Sequence, residues 1–279
     1  MAFKIMNYNI LHGFHSGGTG EKEVRPYEFQ PNRLNCAKAI IAAENPDILL
    51  LNEACFVKPY REKFTGNTLY IDYQKEFNFP FFYPINTHSE WGTCILSRFP
   101  FEYVKDYSEY HRVFIKSSFR YDNQVIFLDI AHPHPDLNEN DRKNFFRNCL
   151  RDITRPCILA GDFNSLSDED HYNKEKLING FRRFMGESAN KKIEDLLLCL
   201  AVKEIRSHGL IDTFTASGSK WDYTIPTDYL SRYKDSGIRI DYIFCSEDFK
   251  LIDAYIAKNA NSEKASDHYP IVASLDIKK

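Results

Sequence analysis

The 279-residue sequence predicts an α/β fold in which mixed sheets and helices form one domain spanning 1–279. Three observations point there. Strand-like apolar runs alternate with helical stretches, and several of those runs follow one another with no helix between them, which argues against a purely parallel sheet. No internal repeat, low-complexity tract or Pro/Gly/Ser linker separates the chain into parts.

Taken in order, strands are expected at Phe3 to Leu11, Asp47 to Leu51, Thr93 to Ser97, Val113 to Phe119, Val125 to Ala131, Cys157 to Ala160, Ile238 to Phe244, Leu251 to Ile256 and Tyr269 to Ile277. Helices are expected at Pro31 to Glu44, which opens with proline at its start, and at Glu139 to Arg151, Glu169 to Phe184 and Lys191 to Arg206. The last of these carries Ile193, Leu196, Leu197, Leu200 and Ile205 along one side, the pattern of a helix packed on a core. Irregular stretches at Leu11 to Gln30 and Ala216 to Gly237 are where loops on a rigid scaffold would border a site.

Composition narrows the function. Hydrophobic residues make up 43% and aromatics 15%, so the chain can bury a core and is not of disordered type. With 36 basic against 39 acidic residues, the net charge of −3 gives no overall field for coating nucleic acid. A nuclease survives this test, because a bound divalent cation inverts the local charge of an acidic site. No run approaches the roughly 20 apolar residues of a spanning helix, and the opening MAFKIMNYNILHG leads directly into a strand without an apolar signal core, so a cytoplasmic location is expected. Seven cysteines, dispersed and without a CxxC pair, read as buried thiols in a reducing compartment.

Several strand-like runs end in polar residues: Tyr8-Asn9, Asn52-Glu53, His132-Pro133-His134, Gly161-Asp162-Phe163-Asn164 and Ser266-Asp267-His268. Singly, each has an ordinary explanation as a turn, a cap or a structural histidine. Together they form a set, since ligands of α/β sheets gather outside strand ends and several buried carboxylates need a cation or protons to be tolerated. Glu53, Asp162 and Asp267 are hard oxygen donors, and Asn9 and Asn164 supply amide oxygens, which suits Mg²⁺, with Mn²⁺ as its substitute.

The motifs MNYNI, LLLNEA, GTCILSRFP, IAHPHP, LAGDFNS, GLIDTF, RIDYIF and SDHYPI, in this order over nearly the whole chain, resemble the endonuclease/exonuclease/phosphatase superfamily. The resemblance implies a two-sheet α/β sandwich with helices on its outer faces, a four-layer deoxyribonuclease-like fold. It also implies cation-dependent phosphoester hydrolysis in which Glu53 ligates the metal, with Asn9 and Asp267 close to it. Asp162 and Asn164 are then expected beside the scissile phosphate, with Asp162 orienting or deprotonating water. Asp241 is expected to hold His268, which acts as base or as donor to a phosphate oxygen, and His132 is expected at a phosphate oxygen or the leaving group. The chain departs from the pattern at Asn52, Thr93 and Pro133.

Nucleic acid is the leading substrate class by resemblance. The alternatives are a small or lipid phosphoester, such as an inositol phosphate or a sphingomyelin-like head group, and a catalytically inactive binding module. Arg98 and Arg142 are candidate phosphate contacts, because a guanidinium grips oxyanions in two-pronged fashion, although surface ion pairs explain them equally. Tyr223 either stacks on a base or sugar or packs internally. His134, two residues beyond His132, reads as structural or as a support to the site ahead of a His-x-His zinc pair, for which spacing places no third nitrogen or sulfur ligand, and His12 and His15 read as rim or surface residues. The segment from Ser165 to His208 carries no readable motif but is placed to shape substrate choice.

Overall fold

The computed structural model describes residues 2–16, 29–55, 71–85, 92–109, 112–229 and 236–279. Two six-stranded mixed sheets face each other. In the first, the strand order is β11 (Phe249–Ile256), β12 (Ile271–Ile277), β1 (Phe3–Asn9), β2 (Ile48–Ala54), β4 (Gly92–Ser97), β3 (Phe81–Ile85). In the second it is β5 (Phe101–Asp106), β6 (Arg112–Tyr121), β7 (Gln124–Pro133), β8 (Cys157–Asp162), β10 (Asp241–Ser246), β9 (Leu210–Asp212). The pairs β1–β2 and β7–β8 are parallel, and the remaining named pairs are antiparallel.

Period-2 alternation assigns each strand's side chains to a layer. Phe3 and Ile5 of β1, Ile48 and Leu50 of β2, Ile126, Leu128 and Ile130 of β7, Ile158 and Ala160 of β8, and Ile243 and Cys245 of β10 fill the space between the sheets. Their alternates, including Met6, Tyr8, Leu49 and Leu51, face the outer helices α2 (Pro31–Glu44) and α3 (Tyr73–Phe77) on one side. On the other side Leu159, Tyr242 and Phe244 meet α4 (Glu139–Cys149) and α7 (Leu200–Ser207). The fold is therefore the four-layer sandwich.

The expected strands form, with shifted ends. The strand expected from Ile238 begins as β10 at Asp241, while Ile238 makes only an isolated bridge to Ile225. Three strands were not anticipated: β3, β5 and β9. All lie at sheet edges, where one-sided burial and polar or proline residues weaken the alternation. The helix expected at Glu169 starts at Lys174 as α5 (Lys174–Met185), because the Asn173 side chain accepts the Lys176 N–H and caps it there. The helix expected across Lys191 to Arg206 is two helices, α6 (Ser188–Leu196) and α7, broken where Cys199 adopts a left-handed φ of 52°. Among the described residues no helix is long and apolar enough to cross a membrane.

Gly161, one residue before Asp162, fixes how β8 passes β7. Its φ is +149°, and a Cβ there would lie 1.9 Å from the Ala131 carbonyl oxygen, a backbone atom that cannot yield. Gly161→Ala is expected to destabilise the protein by roughly 2–5 kcal/mol, from strain and overpacking together. Urea unfolding measures this, and a loss under about 0.5 kcal/mol would contradict the packing described.

Candidate active site

Alternation carries polar residues to one end of the inter-sheet layer. Asn9 continues the inward line of Phe3 and Ile5, His132 that of Leu128 and Ile130, Asp162 that of Ile158 and Ala160, and Asp241 that of Ile243 and Cys245. Because β8 and β10 are antiparallel, Asp162 and Asp241 stand directly opposite each other in the ladder. Like charges in that position repel, and both side chains are buried.

Glu53 does not follow the alternation. With Leu49 and Leu51 facing the outer helices, a regular strand would turn Glu53 outward as well. Instead the pairing of β2 with β4 shifts register between Leu51 and Ala54, and Glu53 takes a left-handed φ of 58°. The bulge re-aims its carboxylate to the strand-end cluster. There Asn9 Nδ2 donates to Glu53 Oε1 and to Asp162 Oδ2, each at 3.0 Å, tying the two sheets together.

The turn after β1, α1 (Leu11–Phe14), is left-handed, with positive φ at Leu11, His12, Gly13 and Phe14. For non-glycine residues this conformation is unfavourable and persists only when its surroundings impose it. The Leu11 N–H donates to Asn9 Oδ1 and the His12 N–H to Glu53 Oε2. Behind the turn, the buried guanidinium of Arg33 donates to the carbonyls of Ile10, Leu11, His15 and Ala265. It thereby joins the Asn9 turn to the chain leading into Asp267.

His268 is the cation among the acids. Its Nδ1 lies 2.7 Å from Asp241 Oδ2, and its Nε2 is 3.9 Å from Asp162 Oδ2 and 4.0 Å from Asp267 Oδ1. Burial pushes its pKa down, but Asp241, Asp267 and Asp162 together raise it well above the ordinary histidine value. Burial also opposes ionisation of Glu53, yet His12, His132 and the Asn9 and His12 hydrogen bonds pull its carboxyl down to about 2. Asp162 moves the other way, pushed up to about 6 by burial and by Asp241 despite His268 and His132. Burial raises Asp267 too, with Glu53 adding to the effect.

Asn164, at φ 49°, donates its backbone N–H to Asp162 Oδ1 and its side-chain amide to the Pro133 carbonyl. His132 Nε2 lies 3.6 Å from Asp162 Oδ2. Thr224 Oγ1 accepts the N–H groups of Ile240 and Asp241, and the Thr224 carbonyl accepts from Tyr269, which holds the strands bearing Asp241 and His268 in step. Glu53, His132, Asp162, Asn164, Asp267 and His268 line one cavity of about 700 Å³.

The residues fit a hard divalent cation. Glu53, Asp162 and Asp267 bring three carboxylates together, no cysteine is among the described residues lining the cavity, and Asp241 Oδ1 is buried without a hydrogen-bond partner among the described residues. Asp162, Asp241 and His268 also bring ligand atoms within 4.8 Å of one another. In that trio Asp241 Oδ2 already engages the His268 Nδ1.

The three proposed substrate contacts lie differently. Arg98 follows β4, which runs antiparallel to β2, so Ser97 sits beside Ile48 at the far end from Glu53. There Arg98 donates to Asn45 Oδ1. Tyr223 packs on Tyr269 at 5.9 Å between ring centres and beneath Lys258, and it does not line the cavity. Arg142 does line it, fully buried, donating to Glu139 at 3.1 Å and to the Pro135 carbonyl at 2.7 Å. His12 stands at the site, 3.7 Å from Glu53 Oε2, and His15 is buried against Phe29, not on the surface. Arg33 was the functional neighbour missed. Its signal was a lone charge on the Arg33, Ala37, Ile40, Ile41 face of α2.

Comparison with known proteins accords with this architecture. The Endonuclease/Exonuclease/phosphatase family pattern matches residues 6–268, and the chain belongs to that family. An endonuclease/exonuclease/phosphatase from Bacteroides vulgatus is similar in structure, with a TM-score of 0.68, 13% identity, and 100% of each chain covered. The human Nocturnin catalytic domain with bound sulfate superposes at 0.62, with 17% identity over 99% of this chain and 94% of that one. D. rerio TDP2 complexed with a single-strand DNA product superposes at 0.59, with 15% identity and 99% of each chain covered. Comparison with curated protein sequences gives no match.

The His268–Asp241 pair sets a pH dependence. Because the folded-state pKa of His268 is raised, its stabilising contribution is complete below the unfolded value of about 6.5 and is lost as pH climbs through the folded value. In the metal-free protein the His268 ring is therefore expected to remain protonated at pH 7.5 by NMR, and Asp241→Asn to lower its titration midpoint. An unchanged midpoint in the variant would contradict the pairing.

Proposed function

We propose that the protein is a divalent-cation-dependent phosphodiesterase that hydrolyses its substrate by in-line attack of water. The observation that carries this reading is the meeting of Glu53, Asp267, Asp162 and His268 in one cavity, with Asn9 donating to both Glu53 and Asp162. Family membership supports a hydrolase acting on phosphoesters.

Glu53 and Asp267 would hold the cation, with Asn9 beside them; when bound, Mg²⁺ or Mn²⁺ supplies charge neutralisation at the phosphate oxygens and the leaving oxygen. Asp162, with its carboxyl near 6, is ionised at neutral pH yet basic enough to accept a proton from water. The Asn164 N–H and the Asn9 amide fix its two oxygens. His268, kept protonated by Asp241, acts as a donor to a phosphate oxygen and not as the base. His132, beside Asp162, is placed to meet a second phosphate oxygen or the leaving group. The nucleic-acid expectation has support in the single-strand DNA product with which D. rerio TDP2, similar in fold, is complexed. The net charge of −3 adds nothing to it.

Hydrolysis of bis-p-nitrophenyl phosphate is expected to need Mg²⁺ or Mn²⁺ and to stop with EDTA. Asp162→Asn is expected to lower kcat by about 10²–10⁴-fold while the far-UV circular dichroism spectrum stays that of the wild type, since the amide keeps the shape of the carboxylate it replaces. Wild-type turnover in EDTA, or in the variant, would overturn the proposal.

A further inference from the structure

The cavity has a second half that hydrolysis of a phosphate does not require. Beyond the strand-end carboxylates its wall is apolar, made by Phe181 and Met185 of α5, Leu196 of α6, and Ile225, Pro226 and Ile238. A volume of about 700 Å³ lies in the range of sites that enclose an organic ligand and far exceeds the room a phosphate and a water occupy. The wall is built by the segment between β8 and β9, the stretch in which the sequence shows no motif, together with the Ile225–Ile238 bridge. Gly180 allows the two to meet closely, since a Cβ there would stand 2.0 Å from Ser236 Oγ.

Two cationic side chains, Lys192 and Arg142, line the cavity together with the carboxylate of Asp136. Lys192 Nζ and Arg142 Nη2 both donate to the Pro135 carbonyl. Arg142, although fully buried and paired with Glu139, keeps an Nε–H without a partner among the described residues. Cationic side chains beside a run of alkyl and aryl side chains match a molecule with an anionic head and an apolar body. These six side chains offer no hydrogen-bond donor to the sugar or phosphate of a following nucleotide, and Ser236 supplies the one hydroxyl among the described lining residues.

We propose that the substrate is a phosphodiester with one apolar substituent, alkyl or aryl, which lies along the α5–α6 wall while its phosphate faces the strand-end carboxylates. The position of the phosphate rests on the phosphodiesterase reading; the chemistry of the wall does not. Alkyl groups buried on this wall leave water, so affinity grows with chain length until the wall is covered.

Binding of methyl-, butyl- and hexylphosphonate, measured by calorimetry with Mn²⁺ present, tests this without turnover. Kd is expected to fall by up to about fourfold per methylene, and Met185→Gln or Phe181→Asn to weaken hexylphosphonate while leaving methylphosphonate unchanged. Hexylphosphonate binding within twofold of methylphosphonate, or no binding of either, would overturn the proposal, as would a thymidylate tetranucleotide binding tighter than hexylphosphonate. Length-dependent binding in a protein that hydrolyses no phosphodiester would leave the wall standing and remove the phosphodiesterase reading.

Discussion

The opposition of Asp162 and Asp241 across the β8–β10 ladder is the constraint around which this end of the molecule is arranged. Two carboxylates placed face to face in a buried layer are unfavourable unless positive charge or donated hydrogen bonds meet them. The surroundings answer from several directions. His268 takes Asp241, Asn9 and the Asn164 N–H take Asp162, and one Asp241 oxygen remains without a partner among the described residues. Such a site is costly as structure and useful as chemistry, because it separates a carboxyl raised toward neutrality from an imidazole held protonated.

Precision in that arrangement comes from backbone features that oppose local preference. A bulge and a left-handed Glu53 turn one side chain from the outer face of the sheet to its end. A left-handed turn at Leu11 to Phe14 follows β1, and Arg33 binds its carbonyls and that of Ala265. Strain of this kind is sustained by packing elsewhere, and here the thick layers of apolar side chains on both faces of each sheet provide it.

Much of this was legible in the sequence. Asn9, His132 and Asp162 end apolar runs, and continuing each run's alternation, by two residues for His132 and Asp162 and by four for Asn9, carries them to the same end of the inner layer. Arg98 shows the limit of that logic. It also ends a strand, but strand direction decides which end of a sheet a terminus reaches, and β4 runs opposite to β2. Edge strands β3, β5 and β9 escaped because one-sided burial blurs their period. The role of Arg33 depends on carbonyls brought together only by the folded chain, and the break at Cys199 depends on a backbone conformation that the Lys191 to Arg206 pattern does not encode. The apolar wall at α5 and α6 was invisible as a motif because its side chains look like ordinary core until the cavity between them is seen.

That a hard cation belongs at the strand ends is the claim on which the chemistry turns. Crystals of the protein soaked in Mn²⁺ and measured near the manganese absorption edge test it most directly. An anomalous peak is expected within bonding distance of Glu53 and Asp267 carboxylate oxygens. A peak bound only at other residues, or no peak at saturating Mn²⁺, would contradict it.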